Sequence, residues 1–221
     1  MILAIVAVGT KYVQKVTPHL SKFIENGWDI RVLSDQPHLF PNLKTHKYPS
    51  KIFSYIDKLL FPLRLVEELE QSVMYIDADC FDFISDELIL NFEPTKEVLY
   101  FGSCPEGEYI SDSDLEFFEP FISYLKKNEF DYNKLPLMIE YLHYFPYVEN
   151  ISNIIYDLER VKPIFEYQSI IKKTYYYPSV GNGEGVALAY TLCKNNVPMN
   201  LFPSKYFLEG NKGLKTVTKI I

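Results

Sequence analysis

The chain has 221 residues and a formal net charge of −7, which is length enough for one domain with a sizeable core and a balance that speaks against nucleic acid, whose phosphates need a basic stripe. Hydrophobic residues make up 48% and charged residues 23%, as in ordinary globular proteins. Cys80, Cys104 and Cys193 form no CxxC pair, and His19, His38, His46 and His143 form no HxxxH pair. Nothing here marks a disulfide framework or a zinc site, and a reducing, cytoplasmic setting is expected. The aromatic share of 16% suits either half-polar clefts or simply a Tyr-rich core.

The first strand is read over residues 2–8, a run rich in Ile and Val that suits a central parallel strand covered on both faces. Gly9-Thr10-Lys11 ends it, too early for a signal core or a membrane span. A helical face comes next in Val13, Val16, Leu20, Phe23 and Ile24. Pro18 interrupts it, so the helix is expected to kink or to restart with Thr17 as its cap, and Asn26-Gly27 stops it. A second strand is read over 30–34, ending at Asp35, and a short third near 45–48. Ile56, Leu59, Leu60, Leu63, Val66 and Leu69 then make the stripe of a longer helix that contains Pro62. Residues 73–76 form a buried strand closed by Asp77-Ala78-Asp79, and 98–101 a further strand. This alternation predicts an α/β domain with a mostly parallel sheet and helices on both faces. Later, Leu115, Phe118, Ile122 and Leu125 fit a helix, as do Ile151, Ile154, Ile155 and Leu158. A strand is expected over 174–177, a loop over 181–185, a helix over 186–193 and a last strand over 199–202. No repeat or linker appears, so the whole of 1–221 is read as one domain.

In open parallel sheets, ligands bind beyond the carboxyl ends of the strands. Asp77 and Asp79 stand at such an end, on one side of extended chain. Two close carboxylates repel each other unless a cation or protons compensate. Mg²⁺ or Mn²⁺ is the expected compensation, because hard cations take oxygen ligands and leave positions open for substrate phosphates. Asp112-Ser113-Asp114 repeats the spacing but comes after a polar loop, and is read as a helix cap and solvated turn.

On these segments the chain resembles the GT-A glycosyltransferases, and in particular small DxD enzymes that use UDP-sugars. The matching stretches are residues 7–12 after the first strand, 32–35 closing the second, Asp57-Lys58-Leu59, and 74–79. The resemblance covers residues 1–103 and, more loosely, 175–207. It implies a nucleotide-sugar-binding half over 1–103 and an acceptor-side half over 104–221, and it allows the chain to be one module of a larger glycosyltransferase polypeptide. It implies transfer of a hexose or deoxyhexose from a UDP-sugar to a glycan or other hydroxyl acceptor. Val8, Gly9, Thr10 and Tyr12 would hold base and ribose, with Tyr12 stacking on uracil and Asp35 meeting base or ribose. Lys58, on a helical face away from the apolar stripe, would meet the donor phosphates or sugar, with Arg64 a second basic candidate. Asp79 would bind the metal directly; Asp77 and Ala78 would line the donor site, Asp77 reaching ribose, sugar or, through water, the metal. A late histidine commonly completes the metal shell in this family. None lies beyond His143 here, and Glu209 stands in as a candidate.

Gly181-Asn182-Gly183-Glu184-Gly185 is a turn at a helix start rather than a dinucleotide fingerprint, which would have to come after the first strand. Glu184 and Asp77 are the candidate catalytic residues, with Glu184 as a base for the acceptor hydroxyl or a group facing the sugar. The alternative role of Glu184 is to favour a helix N-terminus electrostatically. Two other functions share the motif. A haloacid-dehalogenase-type phosphohydrolase would use Asp77 as nucleophile. Against it stand the late position of the DxD, Phe81 where a small or β-branched residue is expected, and Asn182 where an acid is needed. A non-catalytic sugar-nucleotide-binding module would use the same cleft.

Overall fold

The computed structural model describes residues 1–49, 54–102, 119–131, 135, 136, 138–171 and 184–208. One seven-stranded sheet runs in the order β3-β2-β1-β4-β6-β5-β7. Its strands are β1 (Ile2–Val6), β2 (Asp29–Ser34), β3 (Lys44–Lys47), β4 (Val73–Ile76), β5 (Leu99–Gly102), β6 (Ile139–Phe145) and β7 (Met199–Leu201). β1 pairs in parallel with β2 and β4, β2 with β3, and β5 with β7. Among the described residues, β6 alone of the seven strands is antiparallel, to both β4 and β5.

Helices cover both faces: α1 (Thr10–Val16), α2 (Leu20–Glu25), α3 (Ile56–Leu69), α4 (Asp86–Asn91), α5 (Glu119–Lys127), α6 (Ile151–Ile171) and α7 (Glu184–Lys194). Every residue of β1 is buried, and its alternating side chains feed two separate cores. Ile2, Ala4 and Val6 pack under α3, α5, α6 and α7. Leu3, Ile5 and Ala7 pack under α1, α2 and α4, with Trp28 and Phe81. Each fully buried Leu or Ile contributes about 1.5–3 kcal/mol relative to exposure, so β1 ties the two cores together.

The expected parallel α/β architecture is present, with two local differences. Pro18 restarts the first helix through a 3-10 turn at Thr17–His19. Thr17 does not cap the restarted helix; its hydroxyl donates back to the Val13 carbonyl at 2.7 Å and so closes α1. The second difference is β6, which lies in the middle of the sheet and is not among the strands read from the sequence. The expected strand 174–177, Leu115, Phe118, the Asp112-Ser113-Asp114 triplet, Glu209 and residues 181–183 lie outside the described residues. Among the described residues no helix is long and apolar enough to cross a membrane.

Candidate active site

Connections from β1 run outward through β2 to β3, then return past β1 to β4. The carboxyl ends of β1 and β4 therefore flank the point where the winding reverses, which is where open α/β sheets form a ligand crevice. Gly9 stands at one lip and Asp77-Ala78-Asp79 at the other.

A helix leading into a strand runs antiparallel to it, so its first turn returns to that strand's carboxyl end. α3 leads into β4, and its first turn brings Lys58 to Asp77, Nζ to Oδ2 at 2.8 Å. α7 leads into β7, whose partner β5 points the same way as β4. The first residue of α7, Glu184, reaches the same ammonium from the other side, at 3.4 Å. Lys58 is only 9% exposed and Glu184 1%. The expectation that Lys58 occupies a helical face away from the apolar stripe is thus corrected: the stripe surrounds it, because the first turn of α3 points at the strand end. Arg64, two turns on, pairs with Glu159 of α6 at 2.5 Å on the outer surface, so it does not join this centre.

Beneath these groups lies a polar layer without partners. Tyr75, fully buried on β4, faces His143 of β6 in register, ring planes 14° apart. The Tyr75 hydroxyl, both His143 ring nitrogens and Glu184 Oε2 have no hydrogen-bond partner. Burial, reinforced by the Lys58 charge, pulls the His143 imidazole down to about 3, so it is neutral near pH 7. Burial and the Asp77 charge push the Tyr75 phenol well up, and burial followed by Asp77 does the same for the Cys80 thiol.

Asp79 is engaged by a different lysine. It pairs with Lys15 of α1, and the two side chains are 41% and 43% exposed. The hydrogen bond to Asp79 is the largest influence holding the Lys15 ammonium above its ordinary value. Ala78, between the acids, is buried in the core. Across the crevice, Gly9 has φ of 94°, which favours glycine, and its N–H donates to Asp35 Oδ1 at 2.9 Å. Asp35 thereby braces the β1–α1 loop from the end of β2. Gln36 Nε2 donates to the exposed Thr10 hydroxyl at 3.1 Å. Tyr12 is half-buried, with the Lys11 ammonium 5.3 Å from its ring centroid, and Val8 packs partly buried against the other core. Asp57, adjacent to Lys58, is held by Tyr48 at 2.8 Å and Lys162 at 2.6 Å, and ties α3 to its neighbours.

The donor set suits a hard cation shared with a substrate. Asp77 Oδ1 and Asp79 Oδ2 are oxygen donors not engaged by the two lysines, and one or two carboxylates plus phosphate oxygens are enough for Mg²⁺. Among the described residues no group of three His, Cys, Asp or Glu side chains gathers to form a closed metal cage. Lys15, Tyr75 and His143 are not among the residues that the sequence singles out. Lys15 carries a usable signal, as an exposed cation one and a half turns into the helix after β1.

No protein-family model and no curated protein matches the chain. Solved structures similar to it include the galactosyltransferase LgtC in complex with donor and acceptor sugar analogues, at 11% identity and a TM-score of 0.47 over 93% of this chain and 74% of that one. The apo-form glycosyltransferase GlyE of Streptococcus pneumoniae TIGR4 is similar at 9% identity and a TM-score of 0.40; the alignment takes in 93% of this chain and 45% of GlyE, so the chain spans less than half of that protein. The 4-diphosphocytidyl-2C-methyl-D-erythritol synthase of Anaerococcus prevotii DSM 20548 is similar at 12% identity and a TM-score of 0.45, over 100% of this chain and 97% of that one.

Proposed function

We propose that the chain is a metal-dependent glycosyltransferase that moves a hexose or deoxyhexose from a UDP-sugar to a hydroxyl acceptor. The observation that carries this reading is the convergence of Asp77, Lys58 and Glu184 at the reversal point of the sheet, with Asp79 open to the crevice beside them. Asp79 and Asp77 would hold Mn²⁺ or Mg²⁺ through their outer oxygens. The cation, when bound, offsets the charge of a departing nucleoside diphosphate.

The chain's own residues supply the rest. Gly9 keeps the lip of the crevice low, and the Asp35 brace fixes its backbone for base and ribose. Tyr12 offers a ring for the base. Glu184 presents a carboxylate that the protein has largely desolvated, the setting in which a base or a charge-stabilising group acts most strongly. Inversion at the anomeric carbon would assign it the acceptor's proton; retention would assign it the sugar face.

Calorimetry of UDP binding tests the reading. Affinity should be much higher with Mn²⁺ than with EDTA, and Asp79→Asn should remove most of that difference while the circular dichroism spectrum stays unchanged. Equal UDP affinity with and without metal would overturn the proposal.

A further inference from the structure

The site holds one buried ammonium between two carboxylates, and it serves them unequally. Lys58 sits 2.8 Å from Asp77 and 3.4 Å from Glu184. Glu184 is the more deeply buried acid, at 1% side-chain exposure against 13% for Asp77, yet its Oε2 has no partner at all. A buried carboxylate oxygen left unsatisfied is costly, so Glu184 is an acceptor in waiting. Asp77 Oδ2, meanwhile, is closed by the lysine. A dication placed at Asp77 would face the Lys58 ammonium at close range, where like charges repel strongly in a partly desolvated setting.

We infer that Lys58 is a movable counter-ion, which leaves Asp77 for Glu184 when a divalent cation takes Asp77. The displacement needed is small, because the ammonium already spans both acids and ends a flexible four-carbon stem. It relieves the repulsion at Asp77 and completes the shell of Glu184 in one movement. Without cation, Lys58 keeps Asp77 neutralised. With cation, it holds Glu184 in place from within. Lys58 is thus a positioning residue that couples cation binding at the strand end to the carboxylate on α7. The inference rests on the cation reading of Asp77, and it makes predictions of opposite sign for two neighbouring residues.

The experiment is a titration of free Mn²⁺, followed by its electron paramagnetic resonance signal, on wild type, Lys58→Gln, Glu184→Gln and Asp77→Asn, first without nucleotide and then with UDP. Lys58→Gln removes the competitor and should tighten Mn²⁺ alone by about tenfold or more. Glu184→Gln removes the landing site, leaves Lys58 on Asp77, and should weaken Mn²⁺ by about the same factor. A role confined to holding the fold would move neither affinity in wild-type-like protein. Unchanged or weaker Mn²⁺ binding by Lys58→Gln overturns the inference, even where Asp77→Asn confirms that wild type binds Mn²⁺ with UDP. Tighter binding by Lys58→Gln with unchanged Glu184→Gln overturns the transfer to Glu184. If wild type takes up no Mn²⁺ with UDP, the cation reading itself fails, and this inference with it. Should Lys58→Gln fail to fold, the near-isosteric Glu184→Gln decides alone, and an unchanged affinity there is fatal to the idea.

Discussion

Asp77 and Asp79 stand two residues apart on one strand end and occupy different media. Asp77 is 13% exposed and its lysine 11%, whereas Asp79 is 41% exposed and its lysine 43%. The inner pair is supported by a third charge, a fully buried histidine and a fully buried tyrosine. The outer pair is bordered by water. Removing one partner of a buried ion pair strands the other and is strongly destabilising, while an exposed pair is screened and contributes little. The difference divides the labour of the motif: the inner acid is wired to the body of the protein, and the outer acid is available to whatever enters the crevice.

Glu184, on the inner side, should give the largest effect. Glu184→Gln keeps size and hydrogen bonding and removes the charge. With Mn²⁺ saturating, turnover on a panel of UDP-hexoses is expected to fall by roughly 10²–10⁴-fold, the range for a lost general base. A residue that only holds the fold would instead lower the melting temperature and leave the folded fraction at normal turnover.

Next is Lys58→Ala, which leaves Asp77 and Glu184 facing each other without a counter-charge. Unfolding in urea should show a loss of about 3–5 kcal/mol, the size expected for one partner of a buried pair. A loss under about 1 kcal/mol, typical of a surface pair, would mean that the inner site is far better hydrated than its burial implies.

The two sides also differ in how far the sequence foretells them. β1, β2, β4 and the acidic pair are legible because each strand is a short apolar run with a polar stop, and because strand, helix and strand alternate. Lys58 and Glu184 stand out singly in the sequence, but their meeting does not. It depends on β6, an antiparallel strand inserted between β4 and β5, which sets the distance and direction from β4 to β7 and hence where α7 begins. Residues 138–145 carry a strand signal, an apolar and aromatic run between Pro136 and Pro146. Leu142 to Phe145 are buried one after another, and apolar residues on both sides of the chain direction leave no clean alternation to announce the strand. The orphaned nitrogens of His143 are a consequence of tertiary packing that no local pattern encodes.

His143 provides a pH test of the inner side. Its folded-state value is about 3, against about 6.5 for a free imidazole. Below the free value the unfolded chain binds a proton that the folded chain refuses. The stability associated with neutral His143 is therefore full above pH 6.5 and is lost as pH falls towards 3. Within that window the slope from this residue is at most about 1.4 kcal/mol per pH unit. His143→Phe, which keeps a ring against Tyr75, should flatten the wild-type decline between pH 6 and pH 4. An identical decline in both proteins would assign it to other groups.

Lys15, on the outer side, should give the smallest effect on folding. Its ammonium is raised mainly by its hydrogen bond to Asp79, but both side chains are more than two-fifths exposed, so solvent screens the pair. Lys15→Ala is expected to change unfolding free energy by no more than about 0.5–1 kcal/mol. Its consequence lies in the crevice, where it takes away the cation paired with Asp79. In the absence of nucleotide, Asp79 should then be freer for Mn²⁺, and added salt should weaken that binding more steeply, since the site is left more negative. Melting curves and Mn²⁺ titrations at two ionic strengths read both effects on the same samples. A melting loss as large as that of Lys58→Ala would erase the contrast between the two acids, because it would mean that the outer pair, like the inner one, is part of what holds the sheet end together.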